Sequence, residues 1–147
     1  MYTPDFKWSK WIKVSVVKHF DAMATANGVH FYIAGTGNDN AEYDRFIEFR
    51  LDGPIITQLS KGYFRLMVGV NILYSTDIET NYLDDVVLAG LIQEAFSEIC
   101  VYKYGDGDAY LGRMLPSEIT TNNFGVVKDT KIKQGSVESV YTIFLEN

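Results

Sequence analysis

Cysteine and histidine are nearly missing from this chain, which has one Cys and two His in 147 residues. A single cysteine, Cys100, excludes an internal disulfide. It lies in a run with helical apolar spacing, where a free Cys is expected as a small buried hydrophobe. A reactive thiol needs a nearby base, and neither His19 nor His30 is close in sequence. The same scarcity argues against zinc, whose usual sites draw on clustered Cys and His. Ser-His-Asp and Cys-His catalysis need a histidine held by a third group. His19 reads as a residue of the first helix beside Phe20, and His30 as the start of a strand. Both are expected to be surface or half-buried structural residues.

Long apolar runs are also lacking. The longest, 86–92, is interrupted by Gly90 and falls far short of the ~20 residues that cross a bilayer. The first residues show no basic start followed by an apolar core, the mark of a secretory signal. The expectation is a soluble protein that folds in the cytosol, without a membrane partner. Positive charge is the minority sign: 13 basic against 19 acidic residues give a net charge of −6. Such a surface has no overall attraction for a phosphate backbone, so no sequence-specific nucleic acid is expected. Lys7, Lys10, Lys13 and Lys18 read as the solvated side of a helix.

Neither a Walker loop nor a zincin motif occurs. Gly35-Thr36-Gly37-Asn38-Asp39-Asn40 begins as G-x-G after a strand, but Asn40 stands where a dinucleotide fingerprint needs its third glycine. It reads as a flexible hairpin loop. Asp39, Asn40, Glu42 and Asp44, and separately Asp106 and Asp108, lack the spacing of an EF-hand and read as solvated turns. Nothing singles out a carboxylate pair for glycoside cleavage among the nineteen acids. The reading is therefore of a protein that is not an enzyme, with no catalytic residue, cofactor or metal site assigned.

What is present is the material of one domain, 1–147, long enough to bury roughly two-thirds of its unfolded surface. Aromatics reach 14%, with ten Tyr and nine Phe. Half-exposed strand faces and a protein interface would both account for them. Over 9–27, Ile12, Val16, Phe20 and Met23 recur at helical spacing, with Trp8 and Trp11 at the start and Asn27-Gly28 as a stop. Residues 29–34 read as a short strand and 45–51 as an alternating one. Asp52-Gly53-Pro54 stops or bends it, and 55–59 continues as an edge strand, since Pro54 cannot donate to a ladder. The strongest strand is 62–75, where Phe64, Leu66, Val68, Val70, Ile72 and Tyr74 alternate without a break. A strand of that length is expected to project beyond its domain or to bend at Gly69.

A second helix is predicted over 82–101, capped by Thr80 or Asn81, with Asp84 and Asp85 at the positive end of its dipole. Leu83, Val87, Leu91 and Ala95 form one row and Leu88, Ile92, Phe96 and Ile99 the next. So wide a stripe predicts a heavily buried helix, and Ala89-Gly90 would admit close approach of a sheet or another helix. Residues 104–108 form a turn, 109–115 a strand ending at Pro116, 119–133 a polar, weakly patterned stretch, and 137–145 a last strand. Strands grouped between helices indicate an α+β fold. Two helices would pack on a mainly antiparallel sheet, in the order helix, strands, helix, strands.

This layout resembles the tail terminator, or tail completion, proteins of tailed phages. The pieces that carry the resemblance are Trp11-Ile12-Lys13-Val14-Ser15-Val16-Val17-Lys18-His19-Phe20, the long strand 63–74, the apolar helix 83–99 and the terminal strand 137–145. The resemblance implies an oligomeric ring, usually a hexamer, that caps the tail tube and joins it to the head. Its partners would be further copies of itself, the tail tube protein and a head completion or neck protein. It would assemble in the host cytoplasm and reside in the virion at the tail–head junction. It brings no catalytic residues. The alternatives are another head–tail neck or connector protein, and a non-catalytic small-molecule binding module using loop 35–40 and an aromatic pocket.

Overall fold

The computed structural model describes residues 6–35, 44–79 and 81–146, with the side chains of 7–35, 44–79 and 81–145. Among these residues it forms two helices and seven strands: α1 (Phe6–Ala26), β1 (His30–Ile33), β2 (Phe46–Ser60), β3 (Tyr63–Asp77), α2 (Asp84–Ala95), β4 (Ile99–Tyr102), β5 (Tyr110–Pro116), β6 (Thr120–Val126) and β7 (Ile132–Glu146). The strand order is β1-β2-β3-β7-β5-β4, with β6 also pairing β7. β1 runs parallel to β2 and every other pairing is antiparallel. The fold is α+β.

Alternation in the long strands builds two different sheet faces. Phe64, Leu66, Val68, Val70, Ile72 and Tyr74 of β3 point to the helix side and are buried. Register places Val137, Tyr141, Ile143 and Leu145 of β7, and Ile47, Phe49 and Leu51 of β2, on that side too. Into this trough α1 presents Ile12, Val16, Phe20 and Ala24, all fully buried. Phe20 is the hub, with ring centroids 5.0 Å from Phe96 and 6.2 Å from Phe49. Trp11 Nε1 donates to Asp106 Oδ2 at 2.8 Å, and the Tyr102 amide donates to Ser15 Oγ at 3.2 Å. These bonds hold α1 against β4 and the turn after it. The outward lysines 7, 10, 13 and 18 are exposed or nearly so, and Lys18 lies 5.0 Å from the Tyr104 ring centroid.

The long strand does not project from its domain. β7 pairs β3 along its whole length, from Tyr63↔Glu146 to Asp77↔Ile132. The irregularity expected at Gly69 lies in its partner instead. β2 shifts register between Asp52 and Ile55, opposite Gly69, around a cis Gly53-Pro54 bond. Gly53 holds φ 107°, and a Cβ there would meet the Met67 carbonyl at 2.9 Å, so this bulge requires glycine.

Three expectations are corrected. The second helix ends at Ala95, and the apolar run beyond it becomes β4, where a short run of branched and aromatic residues suits a strand equally well. Cys100 is consequently exposed on β4 rather than buried in a helix. The weakly patterned 119–133 contains β6, an edge strand with both faces largely open, which leaves no alternation to detect.

Candidate interaction surfaces

α2 is anchored at its start by ion pairs. Arg45 Nε meets Asp84 Oδ2 at 2.8 Å, and Lys133 Nζ meets Asp85 Oδ2 at 2.8 Å. The two first-turn acids thus face fixed cations as well as the helix dipole. Asp85 is buried, and its charge adds to burial in raising the Tyr74 phenol above its usual pKa. At the other end His19 Nε2 donates to the Ala95 carbonyl at 2.7 Å, so α1 closes the C-terminus of α2. Below it, Tyr141 is fully buried and its hydroxyl donates to the Ser97 carbonyl at 2.7 Å.

The anchored helix buries Asp85, Leu88, Ala89 and Ile92. Of the row expected beside them, Leu91 and Ala95 are half-buried, whereas Leu83 and Val87 are exposed. Tyr82 is 74% exposed, Leu83 50%, Val86 65% and Val87 52%. Gly90, on the same side, has open space around it, so the close approach it permits is not used within this chain. A helix apolar on both sides is ordinarily buried on both. Here Tyr82, Leu83, Val86 and Val87 stand side by side open to solvent, a contiguous apolar patch rather than scattered single residues.

A second apolar surface lies on the helix-free face of the sheet. Register sets Ile55, Met67, Thr142 and Leu115 in one row across β2, β3, β7 and β5. Ile55 is 66% exposed, Leu115 52% and Phe144 53%. Phe144 stacks on Tyr63 with centroids 5.9 Å apart, and Val140 extends the patch toward Gly69. Arg65 sits among them opposite Phe144, with its Nε buried and unpartnered among the described residues.

Beside this patch lies a groove of about 230 Å3 lined by Asp52, Asn71, Glu118 and Glu138 among others. Asn71 Nδ2 donates to Glu138 at 2.9 Å, so one of its acids is already engaged. The polar residues singled out in the sequence do not converge. His19 binds backbone, His30 opens β1, and Cys100 faces outward on β4. Asp106 accepts from Trp11, and Asp108 Oδ1 accepts the Gly105 amide at 3.1 Å, both shaping the turn 104–108. Thr36 to Asn40 and Glu42 lie outside the described residues. Among the described residues no group of three or more His, Cys, Asp or Glu is placed to hold a metal ion, and no helix is long and apolar enough to cross a membrane.

Sequence reasoning missed both surfaces as surfaces. The α2 row was visible as apolar but was assigned to the core. The sheet patch was visible only as the second face of the long strands. No family model matches the chain, and no curated protein matches it.

Proposed function

We propose that the protein acts by assembly, as an oligomeric ring of the tail-terminator type that caps a phage tail tube and joins it to the head. The observation that carries this reading is the bare apolar side of α2. Its fixed termini and its composition suit a helix covered on both sides, while its own chain covers only one. An interface supplies the missing cover, and the aromatic-rich sheet face fits the same reading. The layout of one helix, a long β2–β3 hairpin, a second helix and closing strands supports the family chosen. The ring's partners are the tube protein on one side and a neck protein on the other.

The test is mass in solution together with electron microscopy of the protein mixed with tail tubes. A ring with a central hole, seated on tube ends and halting their growth, is the expected result. A strict monomer that ignores tube ends sinks the proposal. Rings that bind filled heads and not tubes select a neck protein instead.

A further inference from the structure

The two apolar surfaces point in opposite directions. α2 covers the helix side of the sheet near Lys133 and Thr121, which lie level with Thr76 and Ile72 of β3. The sheet patch lies on the other side, level with Tyr63 to Gly69. One partner molecule cannot cover two surfaces that face away from each other. A two-fold dimer through either would leave the other bare in both copies. A repeated head-to-tail contact covers both, and it closes into a ring when its rotation closes.

The sheet patch is basic at its Tyr63 end, with Lys61 and Arg65, and acidic at its Val140 end, where Asp52, Glu118 and Glu138 line the groove. Residues 53–76 contain Lys61 and Arg65 and no acid, whereas 77–102 contain Asp77, Glu79, Asp84, Asp85, Glu94 and Glu98 and no base. Glu79, Asp84, Asp85 and Glu98 pair with Lys131, Arg45, Lys133 and Arg113. Glu94, two turns beyond Val87 on the exposed side of α2, forms no ion pair among the described residues, and neither does Lys61 or Arg65.

We propose that the outward side of α2 and the turn before it in one copy (Tyr82, Leu83, Val86, Val87) seat on the helix-free sheet patch of the next (Ile55, Tyr63, Leu115, Phe144), with Glu94 meeting Lys61 at the rim and approaching Arg65 within the patch. This contact rests on the assembling reading above and names the surfaces it uses. It makes a specific demand on complementation. A helix-blocked chain carrying Val86→Asp and Val87→Asp keeps a sound sheet patch. A sheet-blocked chain carrying Ile55→Asp and Phe144→Asp keeps a sound helix.

Sedimentation of each alone and of an equal mixture tests the contact, with circular dichroism confirming native folds. Expected are monomers of each variant alone and a mixture that forms dimers and goes no further, beside a wild type that forms larger closed species. A variant that assembles like wild type overturns the contact. So does one that dimerises by itself, or a mixture that stays monomeric. Should the aspartates unfold the chain, Glu94→Lys carries the test. It is expected to weaken association about tenfold at low salt, and Lys61→Glu in the same chain to restore most of it. Absence of both effects overturns the contact. A monomeric wild type overturns contact and ring together. Oligomers that meet these demands but ignore tail tubes sink only the tail reading.

Discussion

α1 and α2 lie on the same side of the same sheet, and their inward sides are alike. Ile12, Val16 and Phe20 of one helix, and Leu88 and Ile92 of the other, have no exposed surface. Their outward sides are opposites. α1 turns Lys7, Lys10, Lys13 and Lys18 to solvent, with Lys18 over the Tyr104 ring and Lys103 over the ring of its Trp11. α2 turns Val86, Val87 and Gly90 outward, and its first-turn acids are drawn sideways into ion pairs. The outward side of α1 is charged, whereas that of α2 is largely apolar and equally open to solvent. Under the assembly proposed above, burial in the protomer and burial between copies are separate quantities, and mutations can separate them.

The inward sides should respond alike and strongly. Phe20→Ala and Leu88→Ala each remove a fully buried side chain from one continuous core. Losses of about 3–5 kcal/mol and 2–5 kcal/mol are expected, read from urea unfolding of the dilute protein. If Leu88→Ala costs less than about 1 kcal/mol, α2 is loosely docked and the contrast with α1 fails.

Gly135→Ala probes the sheet beneath α2. A Cβ at this buried position runs into the Tyr74 hydroxyl and the Asn122 carbonyl. Backbone must move as well as a ring, so a loss of about 3 kcal/mol is expected, at the upper end for overpacking. A fall in melting temperature of less than a few degrees would show that Tyr74 swings away freely.

The helical spacing of 6–26 and the alternation of 63–77 were legible because each has one face buried and the other more open. That gives hydrophobicity a clean period. β4 was misread because Ile99 lies in phase with Ile92 and Phe96 of the preceding run, while Val101, on the opposite side of such a helix, was the residue out of step. β6 was illegible because an edge strand open on both faces carries no period. The exposed row of α2 was legible in composition and misread in meaning. A single chain's sequence records that Leu83 and Val87 are apolar, and not whether their own chain covers them. The expectation of a buried helix carried that ambiguity unnoticed.

Tyr141 offers a gentler probe of the junction between the helices. Burial raises its phenol above the unfolded value of 10.0, and burial with Asp85 does the same for Tyr74. A group whose folded pKa is raised contributes stability that is complete below the unfolded value and is lost as pH climbs through the folded one. Stability should therefore hold to about pH 10 and decline above it. Tyr141→Phe removes the bond to the Ser97 carbonyl, at a cost of about 1 kcal/mol at neutral pH. It should also flatten the alkaline decline, as measured by urea midpoints from pH 8 to 11. An unchanged decline would assign the effect to other groups.

The smallest expected effect is the sharpest test of the comparison. Val87 and Leu88 are adjacent on α2, one 52% exposed and the other fully buried. In dilute monomer, Val87→Ala removes few internal contacts and replaces a β-branched residue with the best helix former. Protomer stability should stay within about 0.5 kcal/mol or rise slightly. At assembling concentrations the same change takes an apolar side chain out of the proposed contact, and association should weaken several-fold. Sedimentation and urea unfolding of one preparation read both quantities. A destabilisation above about 1 kcal/mol in the monomer would mean that Val87 is covered within its own chain. The outward side of α2 would then be core, and the distinction between the two helices would disappear. Unchanged stability with weakened association leaves one explanation: the cover for this side of α2 is supplied by a neighbour.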